Sequence, residues 1–133
     1  MNQKSIRILI ACLAISISSF GTVTSVYAQK AAASNELDVR VEKFLNENRG
    51  KWHDWNVPYE DGKALNNLII KNRYKSALEI GTSTGHSAIW MAWALSKTGG
   101  KLITIEIDEG RYGAALKNFK KAGVEEYIDA RLA

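Results

Sequence analysis

Cysteine and proline are nearly absent from this chain of 133 residues. The one cysteine, Cys12, lies in an apolar N-terminal stretch. The rest of the chain therefore has neither a disulfide framework nor a cysteine-based zinc site. The one proline, Pro58, falls within residues 52–61, an aromatic stretch without regular periodicity that we interpret as a loop.

A strong charge of one sign is also lacking. The chain has 18 Lys and Arg against 14 Asp and Glu, so its net charge is +4, and residues 1–28 hold two of the cations and no acid. The remaining 105 residues therefore carry 16 − 14 = +2, which is not the clustered basic face of a nucleic-acid-binding domain. We interpret Lys117, Lys120 and Lys121 as a solvated helix face. A hydrophobic fraction of 46% predicts a folded globular domain.

The N-terminus has the three-part pattern of a secretory signal peptide. Residues 1–7 contain two cations, residues 8–20 are mostly apolar, and Val26 and Ala28 stand at positions −3 and −1 of a cut before Gln29. This pattern predicts a signal peptide over residues 1–28 and export to the periplasm or the medium. No stable membrane span is expected after cleavage, and an uncleaved N-terminal membrane anchor is the alternative.

The sequence beyond residue 28 predicts a linker and then one folded domain, residues 35–133. Residues 29–34 are polar and rich in alanine and form the linker. Alternation of strands and helices in the domain predicts an α/β fold with a parallel sheet and right-handed crossovers. In chain order, we expect a helix from residue 34 or 35 to about 48, a helix over 60–72, a strand over 76–80, a helix over 86–95, a strand over 102–107, a helix from Asp108 to Gly123 and a strand over 127–131.

Apolar spacing also predicts which helix faces are buried. The helix over 86–95 is apolar nearly all round, because Trp90 and Trp93 add a second apolar face, so we expect it to be covered on both sides. In the helix over 60–72, Leu65, Leu68 and Ile69 form the predicted apolar stripe, and Asn66 faces water. In the last helix, the predicted inward residues are Tyr112, Leu116 and Phe119.

The turn after the first strand is the predicted ligand site, because ligands of such sheets bind outside the carboxyl ends of the strands. Gly81 permits a positive φ, and Gly85 lets a ligand approach the backbone where the next helix begins. Free N–H groups at that helix start favour an anion, and Ser87 adds a hydroxyl. Glu106 ends the second strand, where a carboxylate can accept both hydroxyls of a ribose.

The dinucleotide fingerprint G-x-G-x-x-G fails here, because Ser83 and His86 stand where glycines are needed. A nicotinamide oxidoreductase is therefore a weak alternative. Glu79 suits a ligand with a cationic end, such as the methionine part of S-adenosylmethionine (SAM), although it can instead brace the loop. No acid is placed to complete a triad with His86 and Ser87, so we interpret His86 as a loop side chain rather than a base.

Residues 77–85 with Ser87, residues 102–108, and the upstream pair Asn56-Val57 resemble the motifs of class I SAM-dependent methyltransferases. The resemblance is to the catechol O-methyltransferase-like group of small O-methyltransferases, and it covers about residues 35–133. It implies a Rossmann-like parallel sheet with flanking helices. One departure is His86, where tyrosine is common in that group.

The resemblance also implies roles for individual residues. Val57 and Ser87 would hold the carboxylate end of SAM, and Glu106 would bind its ribose. Ile107 would pack on the adenine. The loop around the methionine would be shaped by Glu79, Gly81, Ser83 and Gly85.

The resemblance implies an enzyme that transfers a methyl group to a hydroxyl of a small molecule. It also implies that the protein can form a homodimer and that a divalent metal such as Mg²⁺ is held after a fourth strand. The fold normally has seven strands, and only three are visible here. We therefore expect the cofactor-binding half of an enzyme that stops after its third strand, with no assigned catalytic residue and no metal ligand. The alternative is a non-catalytic module that binds an adenosyl ligand, or an inactive fragment.

Overall fold

A computed structural model describes the backbone from residue 3 and the side chains from residue 23 to the end of the chain. The first helix, α1, is assigned to Gln3–Glu47, and the chain divides into two compact units, Met1–Asn35 and Glu36–Ala133. The predicted signal peptide, residues 1–28, lies mostly outside the residues with described side chains. Among residues 23–133, no helix is long and apolar enough to cross a membrane.

The predicted linker is helical, so the helix start that we expected at residue 34 or 35 is wrong. Residues 29–34 belong to α1, and the run Ala31-Ala32-Ala33 explains why, since alanine is the strongest helix former.

The second unit has the predicted α/β architecture. Its three strands form one parallel sheet in the order β1-β2-β3, with Ala77 paired to Leu102 and Leu102 paired to Ile128. Its elements after α1 are α2 (Tyr59–Asn72), β1 (Ser76–Ile80), α3 (His86–Thr98), β2 (Lys101–Glu106), α4 (Glu109–Ala122), a 3₁₀ turn (Glu125–Tyr127) and β3 (Ile128–Leu132).

The helices cover one face of this sheet. Side chains alternate between the faces of a strand, and on the covered face Leu102, Thr104 and Glu106 of β2 are buried. On the opposite face, Leu78 and Ile80 of β1 are 65% and 75% exposed. The sheet therefore presents an apolar surface to solvent beside β1.

Helix α3 is the centre of the core. Its residues from His86 to Leu95 are all buried, including Trp90 and Trp93, so the prediction of cover on both sides is confirmed. Buried Val41 and Leu45 come from the last turns of α1. The Trp93 Nε1–H donates to Asp38 Oδ1 at 2.5 Å, so the one polar atom of this indole is satisfied.

Two of the predicted helix faces are wrong in part. Asn66 is buried rather than solvated, and its Nδ2 donates to the Trp90 carbonyl at 2.9 Å. Leu68 and Leu116 are exposed, although we expected both to face the core. In α4 the neighbouring Ala115 is buried with Phe119 instead, and both lie against Gly85 at the start of α3.

The structure confirms the predicted ends of α4. Asp108 caps its first turn, where Oδ1 accepts a hydrogen bond from the Arg111 N–H at 2.7 Å. Gly123 ends it with φ of 81°, a left-handed conformation that glycine adopts without strain.

A pair of glycine substitutions tests the packing of α2 on α3. A Cβ at Gly62 would overlap Cδ1 and Cγ of Trp90, which lie near the base of that side chain, whereas a Cβ at Gly113 would meet nothing within 4 Å. We expect Gly62→Ala to lower the free energy of unfolding by about 1–3 kcal/mol. Gly113→Ala should raise it by about 0.5–1 kcal/mol, because alanine favours a helix interior. Urea denaturation of both variants measures this, and equal effects would contradict the packing described here.

Candidate functional site

The loop between β1 and α3, residues 81–85, lies at the carboxyl edge of the sheet. Gly81 and Thr82 donate their N–H groups to the Ile105 carbonyl at 2.8 and 3.2 Å, which ties the loop to β2. Gly81, Ser83 and Gly85 have φ of 89°, 50° and 96°. The loop therefore turns through three left-handed residues, one of which is not a glycine.

The two glycines serve different purposes. A Cβ at Gly81 would meet nothing within 4 Å, so a ligand can approach the backbone there. A Cβ at Gly85 would lie 2.5 Å from Phe119 Cε1. Packing on α4 and the positive φ therefore each require glycine at position 85, whether or not a ligand approaches its backbone.

Glu106 is buried at the end of β2 and is held by three backbone N–H groups. Oε2 accepts from Ser83 at 2.6 Å, and Oε1 accepts from Ile107 and Asp108 at 3.0 Å each. Burial acts to raise the pKa of Glu106, but these hydrogen bonds outweigh it and hold the pKa below its ordinary value. The carboxylate is thus ionised and fixed against the loop.

Glu79 lies at the end of β1, on the same face of the sheet as Thr104. Its Oε1 accepts from the Ser87 hydroxyl at 2.5 Å, and its Oε2 accepts from the Thr104 hydroxyl at 2.6 Å. Burial raises the pKa of Glu79 above its ordinary value, although both hydrogen bonds act to lower it. Glu79 therefore braces β1, β2 and α3 against one another, which is the second of the two roles that the sequence left open.

The N-terminus of α3 has free donors. Its N-cap residue is Gly85, which has no side chain to accept from the first turn. The His86 N–H is accepted by Asn56 Oδ1 at 3.2 Å. The N–H groups of Ser87 and Ala88 donate to no group among residues 23–133. Two free N–H groups and the helix dipole favour an anion at this point.

Residues 52–58, here called the strap, run from the end of α1 to the start of α2 and are fastened to the loop. Asn56 Nδ2 donates to Thr84 Oγ1 at 2.8 Å, and the Ser83 hydroxyl donates to the Asp54 carbonyl. The Val57 carbonyl bonds to His86 Nδ1 at 2.9 Å. The Val57 N–H has no acceptor within the part of the chain whose side chains are described. The strap thus carries a third free donor, on a residue whose carbonyl is bonded to the first residue of α3.

The aromatic residues of the strap divide between core and surface. Trp52 stacks on the His86 ring with centroids 4.5 Å apart, whereas Trp55 is 90% exposed. His53 and Asp54 are exposed, and the described residues contain no group of three metal-ligating side chains. Trp52 is therefore a core residue, and Trp55 is the one free to meet a ligand.

The structure brings most of the residues predicted from the sequence to this edge of the sheet. Ile107 lies just beyond β2 and is 84% exposed. Sequence reasoning missed Thr104, although strand alternation would place it beside Glu79 on the covered face. It also missed Thr84 as the partner of Asn56, for which no sequence pattern exists. The predicted residues near the loop are Val57, Glu79, Gly81, Ser83, Gly85, Ser87 and Glu106.

Comparison with protein families gives a match that covers most of the chain. The family described as O-methyltransferase matches residues 22–133. A catechol O-methyltransferase of Niastella koreensis is 41% identical over 75 residues, which are 56% of this chain and 34% of that protein. Caffeoyl-CoA O-methyltransferase 1 of Arabidopsis thaliana is 32% identical over 111 residues, 81% of this chain and 39% of that protein.

Solved structures give the same result. An O-methyltransferase from Bacillus cereus in complex with SAH matches with a TM-score of 0.59 and 30% identity, over 71% of this chain and 43% of that one. An O-methyltransferase from Streptomyces achromogenes in complex with SAM matches with a TM-score of 0.57 and 31% identity, over 70% of this chain and 42% of that one. The chain thus spans less than half the length of these relatives.

The raised pKa of Glu79 predicts how stability depends on pH. A carboxyl group whose pKa is raised by folding stabilises the fold fully below its unfolded pKa, and this contribution is lost as the pH rises through the folded pKa. Glu79→Gln cannot ionise. Its free energy of unfolding should therefore improve relative to the original protein as the pH rises above the ordinary glutamate pKa of about 4.3, until the pH passes the raised folded pKa.

Urea denaturation at a series of pH values measures this difference. Glu126→Gln, at an exposed position of the 3₁₀ turn, is the matched control and should differ from the original protein by a constant amount. A constant difference for Glu79→Gln as well would contradict a buried, pH-sensitive Glu79.

Proposed function

Since the chain belongs to the O-methyltransferase family, we propose that it binds SAM at the carboxyl ends of β1 and β2 and serves the transfer of its methyl group to a hydroxyl of a small molecule. The observation that carries the proposal is the placement of a fixed carboxylate, Glu106, and a helix start with free donors on the same short loop. A zwitterionic ligand that also carries a ribose needs both.

The free backbone donors suit the carboxylate of the methionine end. The Val57 N–H comes from the strap, and the N–H groups of Ser87 and Ala88 come from the first turn of α3. The Ser87 hydroxyl is engaged by Glu79, so in this arrangement Ser87 offers its backbone rather than its side chain. The helix dipole adds to the attraction for a negative charge.

Glu106 and Ile107 suit the nucleoside end. Each Glu106 oxygen has lone pairs beyond the backbone N–H groups that it accepts, so the carboxylate can still take hydroxyl hydrogen bonds from a ribose. The exposed Ile107 side chain offers an apolar surface next to Glu106. An adenine ring that packed on this side chain would remove apolar area of both groups from water. Gly81, with open space over its Cα, lets the ligand lie close to the loop between these ends.

SAM, when bound, supplies an activated methyl group on a sulfonium centre, and the chain's own residues orient it for in-line attack. Glu79 holds the loop in place through Ser87 and Thr104 rather than acting on the acceptor. A divalent metal does not fit the described residues, since no three ligating side chains meet among residues 23–133. We therefore assign no step to a metal and no residue as the catalytic base.

A second candidate function is a non-catalytic module that binds an adenosyl ligand. It is favoured by the described site, in which Glu106, Ile107 and the free donors of α3 all suit the cofactor. Incubation with labelled SAM and a panel of small phenols separates the two. Label in a phenol supports the methyltransferase, and SAM binding without transfer supports the module.

We expect Glu106→Ala to weaken SAM binding by about tenfold to a thousandfold. The reason is the loss of hydrogen bonds to ribose, since a single charge-assisted one is worth roughly 1.5–3 kcal/mol and about 1.4 kcal/mol corresponds to tenfold. Isothermal titration of the chain with SAM measures the effect. Lys120→Ala, on the exposed face of α4, is the control and should leave the affinity unchanged.

Two results of that titration would count against the proposal. Equal SAM affinity in the original protein and in Glu106→Ala would remove the ribose role. Binding of NAD in the absence of SAM binding would replace the methyltransferase proposal with an oxidoreductase.

We also propose that the protein is exported by a cleaved signal peptide and that its mature form begins at Gln29. The support is the order of cations, apolar run and small residue before that position. Mass spectrometry of protein from the periplasm or the medium should find Gln29 as the first residue. Recovery of a form that begins at Met1, embedded in the membrane, would favour an uncleaved anchor instead.

A further inference from the structure

We propose that His86 is a positioning residue that, as a neutral imidazole with its proton on Nδ1, holds the strap against the start of α3. It thereby fixes Val57, whose N–H is free, to the first residue of α3. The expected effect of His86 on SAM binding rests on the proposed function, whereas the position of the proton on its ring does not.

The hydrogen bonds of His86 fix its tautomer. The Trp90 Nε1–H donates to His86 Nε2 at 3.1 Å. An indole nitrogen can only donate, so His86 Nε2 must be the unprotonated acceptor. The proton of the neutral ring is therefore on Nδ1, which donates to the Val57 carbonyl at 2.9 Å. Both ring nitrogens are satisfied in this one tautomer and in no other.

Three residues of the strap depend on His86. Its ring stacks on Trp52 with an interplanar angle of 20°, its backbone N–H donates to Asn56 Oδ1, and its Nδ1–H donates to the Val57 carbonyl. The side chain is 1% exposed, so water cannot replace these partners without opening the strap. His86 is thus the main link between the strap and the helix start.

A second proton on His86 would break this arrangement. It would sit on Nε2, where the Trp90 N–H already points, so two donors would face each other. Burial lowers the pKa of His86 below its ordinary value, although the bond to Val57 acts to raise it. The hydrogen bonds of the neutral ring to Val57 and Trp90 are therefore complete above the ordinary histidine pKa of about 6.5. They are lost as the pH falls through the lowered pKa of His86 in the folded protein.

The other titratable groups around His86 belong to several elements. The Tyr59 ring of α2 lies 6.2 Å from His86, and Arg49 lies over that ring and pairs with Glu60. His53 and Asp54 are exposed on the strap itself. Glu79 is reached through the neighbouring Ser87. Of these, Glu79 also has a shifted pKa, so the experiment must separate its titration from that of His86.

The first experiment is long-range ¹H–¹⁵N NMR of the histidine rings in the protein without ligand, from pH 8 to pH 5. We expect Nδ1 protonated and Nε2 unprotonated at pH 8, with the amide resonances of Asn56 and Val57 shifting together with the ring as the pH falls. A ring protonated on Nε2 at pH 8, or strap resonances that do not move with the ring, would overturn the proposal.

The second experiment measures SAM affinity by titration over the same pH range. His86→Phe keeps a ring on Trp52 but loses both hydrogen bonds, and it should weaken binding about tenfold at pH 8, the equivalent of about 1.4 kcal/mol. His86→Asn keeps a short side-chain donor for the Val57 carbonyl, so it should bind within about threefold of the original protein, a difference below one decade of affinity.

The pH profile separates positioning from mere structural support. In the original protein and in Glu79→Gln, SAM affinity should fall together with the protonation of His86 that the NMR titration detects below the ordinary histidine pKa of about 6.5, and in His86→Asn it should stay flat over the same pH range. A profile in His86→Asn that matches the original protein, or His86→Phe that binds as tightly as the original, would overturn the proposal. If no variant binds SAM at any pH, the proposed function fails, and the NMR titration still decides the role of His86.

Discussion

Two carboxylates at the carboxyl edge of the sheet, the buried Glu106 and the half-buried Glu79, hold the site together. Glu106 accepts three backbone N–H groups and so fixes both the loop and the exit from β2. Glu79 joins the start of α3 to β2 through two hydroxyl groups. A buried charge is tolerated only where hydrogen bonds replace its hydration. The loop conformation, including the left-handed Ser83, therefore depends on these acids before any ligand binds.

Much of the fold was predictable because the signals that specify it are local. The strand β1 and the ends of α4 follow from a short apolar run, an Asp cap and a glycine stop, all within a few residues of one another. Burial depends instead on neighbours that are distant in sequence. Asn66 is buried because the Trp90 carbonyl, 24 residues away, accepts a hydrogen bond from its amide. The apolar spacing of the helix cannot predict a partner so distant in sequence.

The site was predictable in its members but not in its connections. Residues of the loop and Glu106 follow from the topology of a parallel sheet, which brings the strand ends to one edge. The contacts of the strap do not, since Asn56 meets Thr84 and His86 across 28 and 30 residues. The packing of Phe119 against Gly85, 34 residues earlier in the chain, is a further reason for glycine there that the loop motif does not contain. A family motif predicts which positions belong to the site, whereas the contacts of each side chain follow only from the three-dimensional structure.

The uncovered face of the sheet has a consequence for handling the protein. Leu78 and Ile80 lie on β1, one of the two edge strands of the described sheet, so exposed apolar side chains and unpaired backbone groups coincide there. Such an edge is a template for pairing with another chain. Copies of the purified chain should then associate through this face. The highest concentration at which the chain stays dispersed should depend on salt and detergent more than on the stability of its core.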